Sequence, residues 1–254
     1  MTSQMVHSER QGAVHTLTLD SPHNRNALSS QLLEELGAGL HDATTDADVR
    51  VIVLTGTGTV FCSGADLSGT TGTVTSRMAE ILTALASAPV PVIARVNGHA
   101  RAGGLGLMAA SDLAVAAVGA TFAFSEVRVG VAPAMILVPG LRIMERRFLS
   151  HHVMTGESFT AADAARAGLL SAVTEDEVAL DAWVDAAVAG VLKSAPGAVA
   201  ATKALLRELP ELTWAAGLEM ARARSAELFD GAEAAEGIDA FLNKRSPSWD
   251  VASS

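Results

Sequence analysis

Val96-Asn97-Gly98-His99-Ala100-Arg101-Ala102-Gly103-Gly104-Leu105-Gly106-Leu107, followed downstream by Phe122-Ala123-Phe124-Ser125-Glu126-Val127-Arg128-Val129-Gly130, is the part of the chain whose reading decides the fold. An apolar strand runs into a glycine-rich turn, and Leu105 to Ala110 continue in helix-forming residues. Glycines let the backbone approach another group closely, and a helix N-terminus favours negative charge. The turn can therefore aim backbone N–H groups at an anionic atom. Glu126 then sets one carboxylate among apolar neighbours. An anion cradle followed by a lone carboxylate is an arrangement for proton transfer beside a polarised carbonyl. Taken by themselves, Gly103 and Gly104 serve tight strand-to-helix packing equally well, and Glu126 serves equally well as a solvated loop acid.

Outward from this stretch, strand and helix patterns alternate. Val14 to Leu19 alternates as a strand, and Asp20-Ser21-Pro22-His23-Asn24 is turn chemistry. Ser29 is a candidate N-cap for a helix carrying Leu32, Leu33, Leu36 and Leu40 at helical spacing. Val49 to Thr55 reads as a buried strand, Phe61 to Leu67 as a small-residue loop, and Gly69 to Val74 as a mobile Gly/Thr segment. A helix over Arg77 to Ala88 ends at Pro89, and Val92 to Val96, Leu113 to Ala117 and Thr121 to Phe124 are short strands. Alternating strands and helices argue for an α/β unit with its sites on strand-to-helix loops. From Pro133 the chain is mostly helical, with helices expected over Leu141 to Val153, Ala161 to Ala167 and Asp176 to Leu192 and another after Pro196. Trp214, Leu218, Ala221, Ser225 and Leu228 share one helical face, suited to packing on another subunit or on the chain's own core.

Composition narrows the function. The 254 residues are 49% hydrophobic, enough for one sizeable core with a smaller helical appendage. A formal charge of −10 with few aromatics and no basic run excludes a general nucleic-acid binder. The single cysteine, Cys62, excludes an internal disulfide and a multi-cysteine zinc site. No apolar run reaches the roughly 18 residues of a membrane span, and Met1 to Gln11 is polar. A soluble cytoplasmic protein without membrane partners is expected.

Taken together in order, Asn26-Ala27-Leu28, Phe61-Cys62-Ser63-Gly64-Ala65-Asp66-Leu67, Asn97-Gly98-His99-Ala100 with Gly103-Gly104, Ser111-Asp112, and Phe122 through Gly130 resemble the enoyl-CoA hydratase/isomerase (crotonase) family. Phe241 to Trp249 resembles that family's C-terminal end. The resemblance implies an α/β fold, a spiral of ββα repeats over residues 1–195, with a helical oligomerisation region over 196–254. It implies homotrimers or hexamers, and an acyl-CoA thioester as substrate. No cofactor or metal is implied, because coenzyme A is part of the substrate.

By the same resemblance, the backbone N–H groups of Ala65 and Gly103 hold the thioester carbonyl, and Glu126 is the catalytic carboxylate. His23, Arg25, Ala27, Ser63, Gly64, Asp66, Leu67 and Gly104 lie along the coenzyme A moiety, and Phe241 and Lys244 belong to a tail that reaches a neighbour's site. The sequence departs from the family's hydratases at Gly106, where their first glutamate would stand. Two carboxylates divide the work of hydration, activating water and protonating the α carbon. One carboxylate suffices to move a proton between carbons. Hydration of a 2-enoyl-CoA is the first reading, 3-enoyl to 2-enoyl isomerisation the second, and a non-catalytic CoA-thioester binder the third. Arg101 and Arg128 are candidates for meeting a substrate carboxylate or for ordinary structural pairing. Cys62 is expected to be a small buried residue.

Overall fold

The structure is a computed structural model describing residues 3–66 and 71–250, with residues 71–73 described as helical backbone only. The elements in chain order are β1 (Val6–Gln11), β2 (Val14–Leu19), α1 (Ser30–Thr45), β3 (Val51–Gly56), β4 (Val60–Cys62), α2 (Thr71–Ser87), β5 (Val92–Val96), β6 (His99–Arg101) and α3 (Gly103–Ala110). They continue as β7 (Leu113–Ala117), β8 (Thr121–Ala123), α4 (Ala134–Ile143), α5 (Arg146–Thr155), β9 (Phe159–Thr160), α6 (Ala161–Arg166) and β10 (Ala172–Thr174). Helices α7 (Glu177–Leu192), α8 (Pro196–Glu208), α9 (Trp214–Phe229) and α10 (Ala232–Leu242) complete the fold.

Two sheets wind together. One has the order β1-β2-β3-β5-β7-β10 and the other β4-β6-β8-β9. The segments β3-β4-α2, β5-β6-α3 and β7-β8-α4 each place their first strand in the larger sheet and their second in the smaller. Each unit advances one strand position in both sheets, which is the expected ββα spiral. Only β1 against β2 and β9 against β8 are antiparallel. The inner parallel strands β3, β5 and β7 are apolar on both faces, as strands covered on two sides must be. Val51, Val53, Ile93 and Val115 pack under Leu180 and Val184 of α7, while Ile52, Leu54 and Ala94 face the core shared with α1, α2 and α3.

Local signals explain most of the element ends. Ser29 caps α1 by accepting from Leu32 N, and Asp176 caps α7 by accepting from Ala179 N. The single helix expected over Leu141 to Val153 is instead two, α4 and α5. Glu145 breaks it, because its side chain accepts from the N–H groups of Arg147 and Phe148 and so starts a new helix. Helix α2 begins at Thr71, earlier than its apolar spacing suggests, and the first half of the expected mobile segment lies at or beyond the edge of the described residues. The polar N-terminal stretch contains β1, of which only Val6 is buried.

Helix α8 is fastened to the core by one buried cation. Lys203 Nζ donates to Asp112 Oδ2 at 2.6 Å and to the carbonyls of Leu85 and Val90, each at 3.0 Å. Burial lowers the pKa of Lys203, opposed by Asp112. Lys203→Met is expected to cost about 3 kcal/mol, since it removes the cation from Asp112, which among the described residues keeps only Val92 N as a partner, and a donor from two carbonyls. Thermal denaturation should show Tm lower by roughly 6–12 °C. Among the described residues no single helix is long and apolar enough to cross a membrane.

Candidate active site

Strands β4, β6 and β8 lie side by side and parallel in the smaller sheet. They end at Cys62, Arg101 and Ala123. Ala65, Gly103 and Glu126 each follow within three residues. The topology therefore sets these three residues across one edge of the sheet, beyond the carboxyl ends of neighbouring strands, where α/β folds bind ligands.

Ala65 is aimed by an isolated bridge to Leu28. Leu28 N donates to Gly64 O at 2.8 Å and Asp66 N donates to Leu28 O at 3.2 Å. In a parallel bridge this pattern turns the intervening N–H, that of Ala65, to the opposite side. Ala65 is solvent-exposed there. Gly103 opens α3, and the N-cap residue, Ala102, has no side-chain oxygen to satisfy the first N–H groups. Among the described residues no acceptor is recorded for either N–H. The two sites are held together through their neighbours. A Cβ on Gly64 would stand 2.7 Å from Ala102 Cβ, and one on Gly103 would stand 2.7 Å from Leu28 Cδ1.

Ala102 adopts φ 48 and ψ −121, a region that L side chains rarely enter. Its N–H donates to Ala123 O and its carbonyl accepts from Leu105 N, so β8 on one side and α3 on the other hold the turn. Gly104 lies against Cys62, where a Cβ would meet Cys62 Cβ at 2.8 Å. Burial pushes the Cys62 thiol up to about 12, so it stays protonated and inert as a small core residue.

Glu126 lies in a 3-10 turn, Ser125–Val129, closed by Gly130 at φ 77. Its Oε2 is buried and has no hydrogen-bond partner among the described residues. Desolvation raises its pKa above the ordinary 4.5, opposed by its own backbone N–H. Such a carboxyl can take and return a proton nearer neutral pH. Gly106, one helical turn beyond Gly103, is buried. A Cβ there would stand 2.5 Å from Ile136 Cγ2 and 3.2 Å from Met78 Cε. The place of a second carboxylate is thus filled by hydrocarbon from α4 and α2.

The expected coenzyme A residues divide into two groups. His23 and Arg25 are exposed on the turn before α1, and Ala27, Gly64 and Asp66 stand beside it. Ser63 is tied to the same turn, its N–H donating to Arg25 O and its hydroxyl to Asn24 O, so it supports the loop. Leu67 lies outside the described residues. Phe241 and Lys244 sit at the end of α10. The contacts of α10 and the tail run to α8, where Glu233 accepts from Gly197 N and Ala198 N, and to Arg50, which donates to Trp249 O. One chain therefore does not bring Phe241 or Lys244 beside Ala65 and Gly103. Phe241 is 83% exposed.

The two arginines have structural partners. Arg101 donates to the carbonyls of Ala100 and Thr121 and to the Thr121 hydroxyl, clamping β6 to β8. Arg128 is exposed and donates to Thr155 O at 3.4 Å. Asn26, quoted above only as part of a motif, is fully buried at φ 56. Its Oδ1 accepts from Ser21 N, and its Nδ2 donates to Val60 O and Thr57 O, pinning the α1 turn to the loop that leads into β4. The Asn-rich turn was a signal for the positive φ, but the long-range bonds had none. Among the described residues no cluster of side chains could hold a metal ion.

The comparisons agree with this geometry. The family model described as enoyl-CoA hydratase/isomerase matches residues 9–252. The chain is 34% identical to the 2,3-dehydroadipyl-CoA hydratase of Escherichia coli, covering 94% of this chain and 96% of that one. Its structure superposes on that of an enoyl-CoA hydratase from Mycobacterium smegmatis with TM-score 0.92 at 34% identity, covering 97% and 99% of the two chains. It superposes equally, TM-score 0.92, on the human enoyl Coenzyme A hydratase domain-containing protein 3 at 28% identity, covering 96% and 100%. With sheet order and family model in accord, the chain belongs to the enoyl-CoA hydratase/isomerase family and is an enzyme of the hydratase or isomerase type.

Proposed function

We propose that the protein hydrates a 2-enoyl-CoA thioester, with the N–H groups of Ala65 and Gly103 holding the thioester oxygen and Glu126 as its only catalytic carboxylate. The observation that carries this reading is the buried Oε2 of Glu126, without a hydrogen-bond partner among the described residues, on the loop that follows β8, next in the smaller sheet to the strands β6 and β4 that lead to Gly103 and Ala65. Water held by Glu126 adds to the β carbon as its proton passes to the carboxylate. The electron pair moves onto the thioester oxygen, where the two donors stabilise the enolate. Glu126 then returns the proton to the α carbon. Hydratase names among the relatives support this order of preference.

A second reading, 3-enoyl to 2-enoyl isomerisation, is favoured by one specific observation. Ile136 and Met78 fill the space at Gly106, so no second carboxylate stands there to activate water, and moving a proton between carbons needs only one. Incubation with crotonyl-CoA and with a 3-enoyl-CoA separates the two. Loss of the conjugated double bond in the first is expected for hydration, and appearance of one in the second for isomerisation. Binding of both without turnover would instead mark a CoA-thioester binder.

Residues 196–254 are proposed as an oligomerisation region on the core of residues 1–195. Helix α9 has no buried residue, and Trp214, Leu218, Phe229, Phe241 and Leu242 are all exposed. Such a surface is far more apolar than a lone soluble chain keeps. Light scattering at micromolar concentration should give three or six times the chain mass, and a monomer would refute the assignment. Phe241 and Lys244 would then reach the coenzyme A site of a neighbouring subunit, while His23 and Arg25 face its phosphates from the same chain. The single unpaired cysteine supports a reducing, cytoplasmic setting.

A further inference from the structure

An apolar chamber of about 600 Å³ lies between α2, α3 and α4, within the roughly 300–1,000 Å³ of small-molecule sites. Ala79, Leu82 and Thr83 of α2, Ala110 of α3, and Met135 and Val138 of α4 line it. It contains none of the residues assigned above to the thioester or to coenzyme A. Its inner lining residues are nevertheless their near neighbours. Ala79 follows Met78, Met135 precedes Ile136, and Ala110 is one helical turn beyond Gly106.

Met78 and Ile136, which pack at Gly106, thus adjoin lining residues of the chamber in the sequence. Met78 Cε reaches toward both Gly103 and Gly106, 3.6 and 3.2 Å from where their Cβ atoms would be, and Ile136 Cγ2 packs over Gly106, 2.5 Å from where its Cβ would be. Both side chains are buried. Isoleucine is stiff at χ1, so the Ile136 side of this packing stays in place unless the side chain is shortened. The chamber beyond is mostly hydrocarbon-lined, which suits an apolar acyl chain.

We propose that Ile136 and Met78 are the residues that set acyl-chain length, confining the site to short acyl groups by walling off the α2–α4 chamber. This rests on the acyl-CoA reading above. A chain of a few carbons ends at the wall; a longer one needs the chamber. Removing Ile136 beyond Cβ joins the two spaces and gives a long apolar chain a place to bury.

The test is the affinity of butyryl-CoA and dodecanoyl-CoA, both saturated and so unreactive, measured by calorimetry. The wild-type protein is expected to bind the two within about threefold of each other. Ile136→Ala, and independently Met78→Ala, are expected to bind dodecanoyl-CoA at least tenfold more tightly with butyryl-CoA unchanged, which also shows that the variants are folded. Thr83→Phe, at an exposed rim position of the chamber, should cancel the gain when added to Ile136→Ala. A tenfold or greater preference for dodecanoyl-CoA in the wild type overturns the wall, and that arm decides even where both variants fail to fold. No gain in folded variants, or a gain untouched by Thr83→Phe, also overturns it. Failure of the wild type to bind either ester refutes the acyl-CoA reading itself.

Discussion

Glu126→Gln is expected to lower kcat by about 10³-fold with little change in acyl-CoA affinity. The substitution keeps the size of the side chain and removes its capacity to carry a proton, and general acid–base catalysis contributes roughly 10²–10⁴. No carboxylate stands at position 106 to share the load, because hydrocarbon from Ile136 and Met78 occupies that space. The pH dependence has a fixed sign. Burial raises the Glu126 pKa above 4.5, and the base must be ionised to act. The acid limb of kcat/KM should therefore fall above 4.5, with activity rising as pH rises through the folded-state value. Stability runs the other way. A carboxyl whose folded pKa is raised supports the fold fully below its unfolded pKa and loses that support as pH rises through the folded pKa. Glu126→Gln, which has nothing to ionise, should be more stable than the wild type above that pH and equal to it below. Denaturant titrations at two pH values check this. A variant with wild-type turnover would remove Glu126 from the mechanism.

Gly103→Val should lower kcat/KM by about 10²–10³-fold, the worth of one donor to a developing oxyanion. A Cβ at this position already stands 2.7 Å from Leu28 Cδ1, and valine adds two methyls in front of the N–H. Leu28 can shift because the contact is with the end of a flexible side chain, so the fold should survive. Leu28 also bridges to Ala65, however, and its displacement disturbs the second donor. The loss is accordingly expected in kcat more than in KM. Stopped-flow single turnovers with crotonyl-CoA, alongside circular dichroism, separate a lost donor from a lost fold. Full activity in a folded Gly103→Val protein would mean that another group holds the thioester oxygen.

The sequence carried the local parts of this architecture and missed the distant ones. The Ser29 cap and the start of the helix at Asp176 were readable because such signals act within a few residues. Gly103, Gly104 and Glu126 were readable as types of residue with a chemistry, and the ordered family motifs gave them positions. Strands β4 and β6 were not readable, since three residues hold no periodicity and their small side chains look like loop. Strand β1 was hidden because five of its six residues face solvent, and pairing with β2, not burial, makes it a strand. The ββα recurrence has no fixed period because the units begin unevenly, at Val51, Val92 and Leu113. Nor could the sequence tell that Ile136, far along the chain, fills the place left by Gly106, or that Asn26 pins two loops. Both are long-range packing facts, invisible until the chain is folded. Arg101 was ambiguous for the same reason, and its partners across β6 and β8 are backbone and hydroxyl groups of this chain.

The central claim is that Glu126 alone moves the proton at the α carbon of a thioester held at Ala65 and Gly103. Crotonyl-CoA incubated in heavy water with wild type and with Glu126→Gln, followed by mass spectrometry of the product, tests it most directly. The account predicts one solvent deuteron at the α carbon of each 3-hydroxyacyl product formed by the wild type, and about 10³-fold slower labelling with the variant. Labelling by Glu126→Gln at the wild-type rate would contradict it.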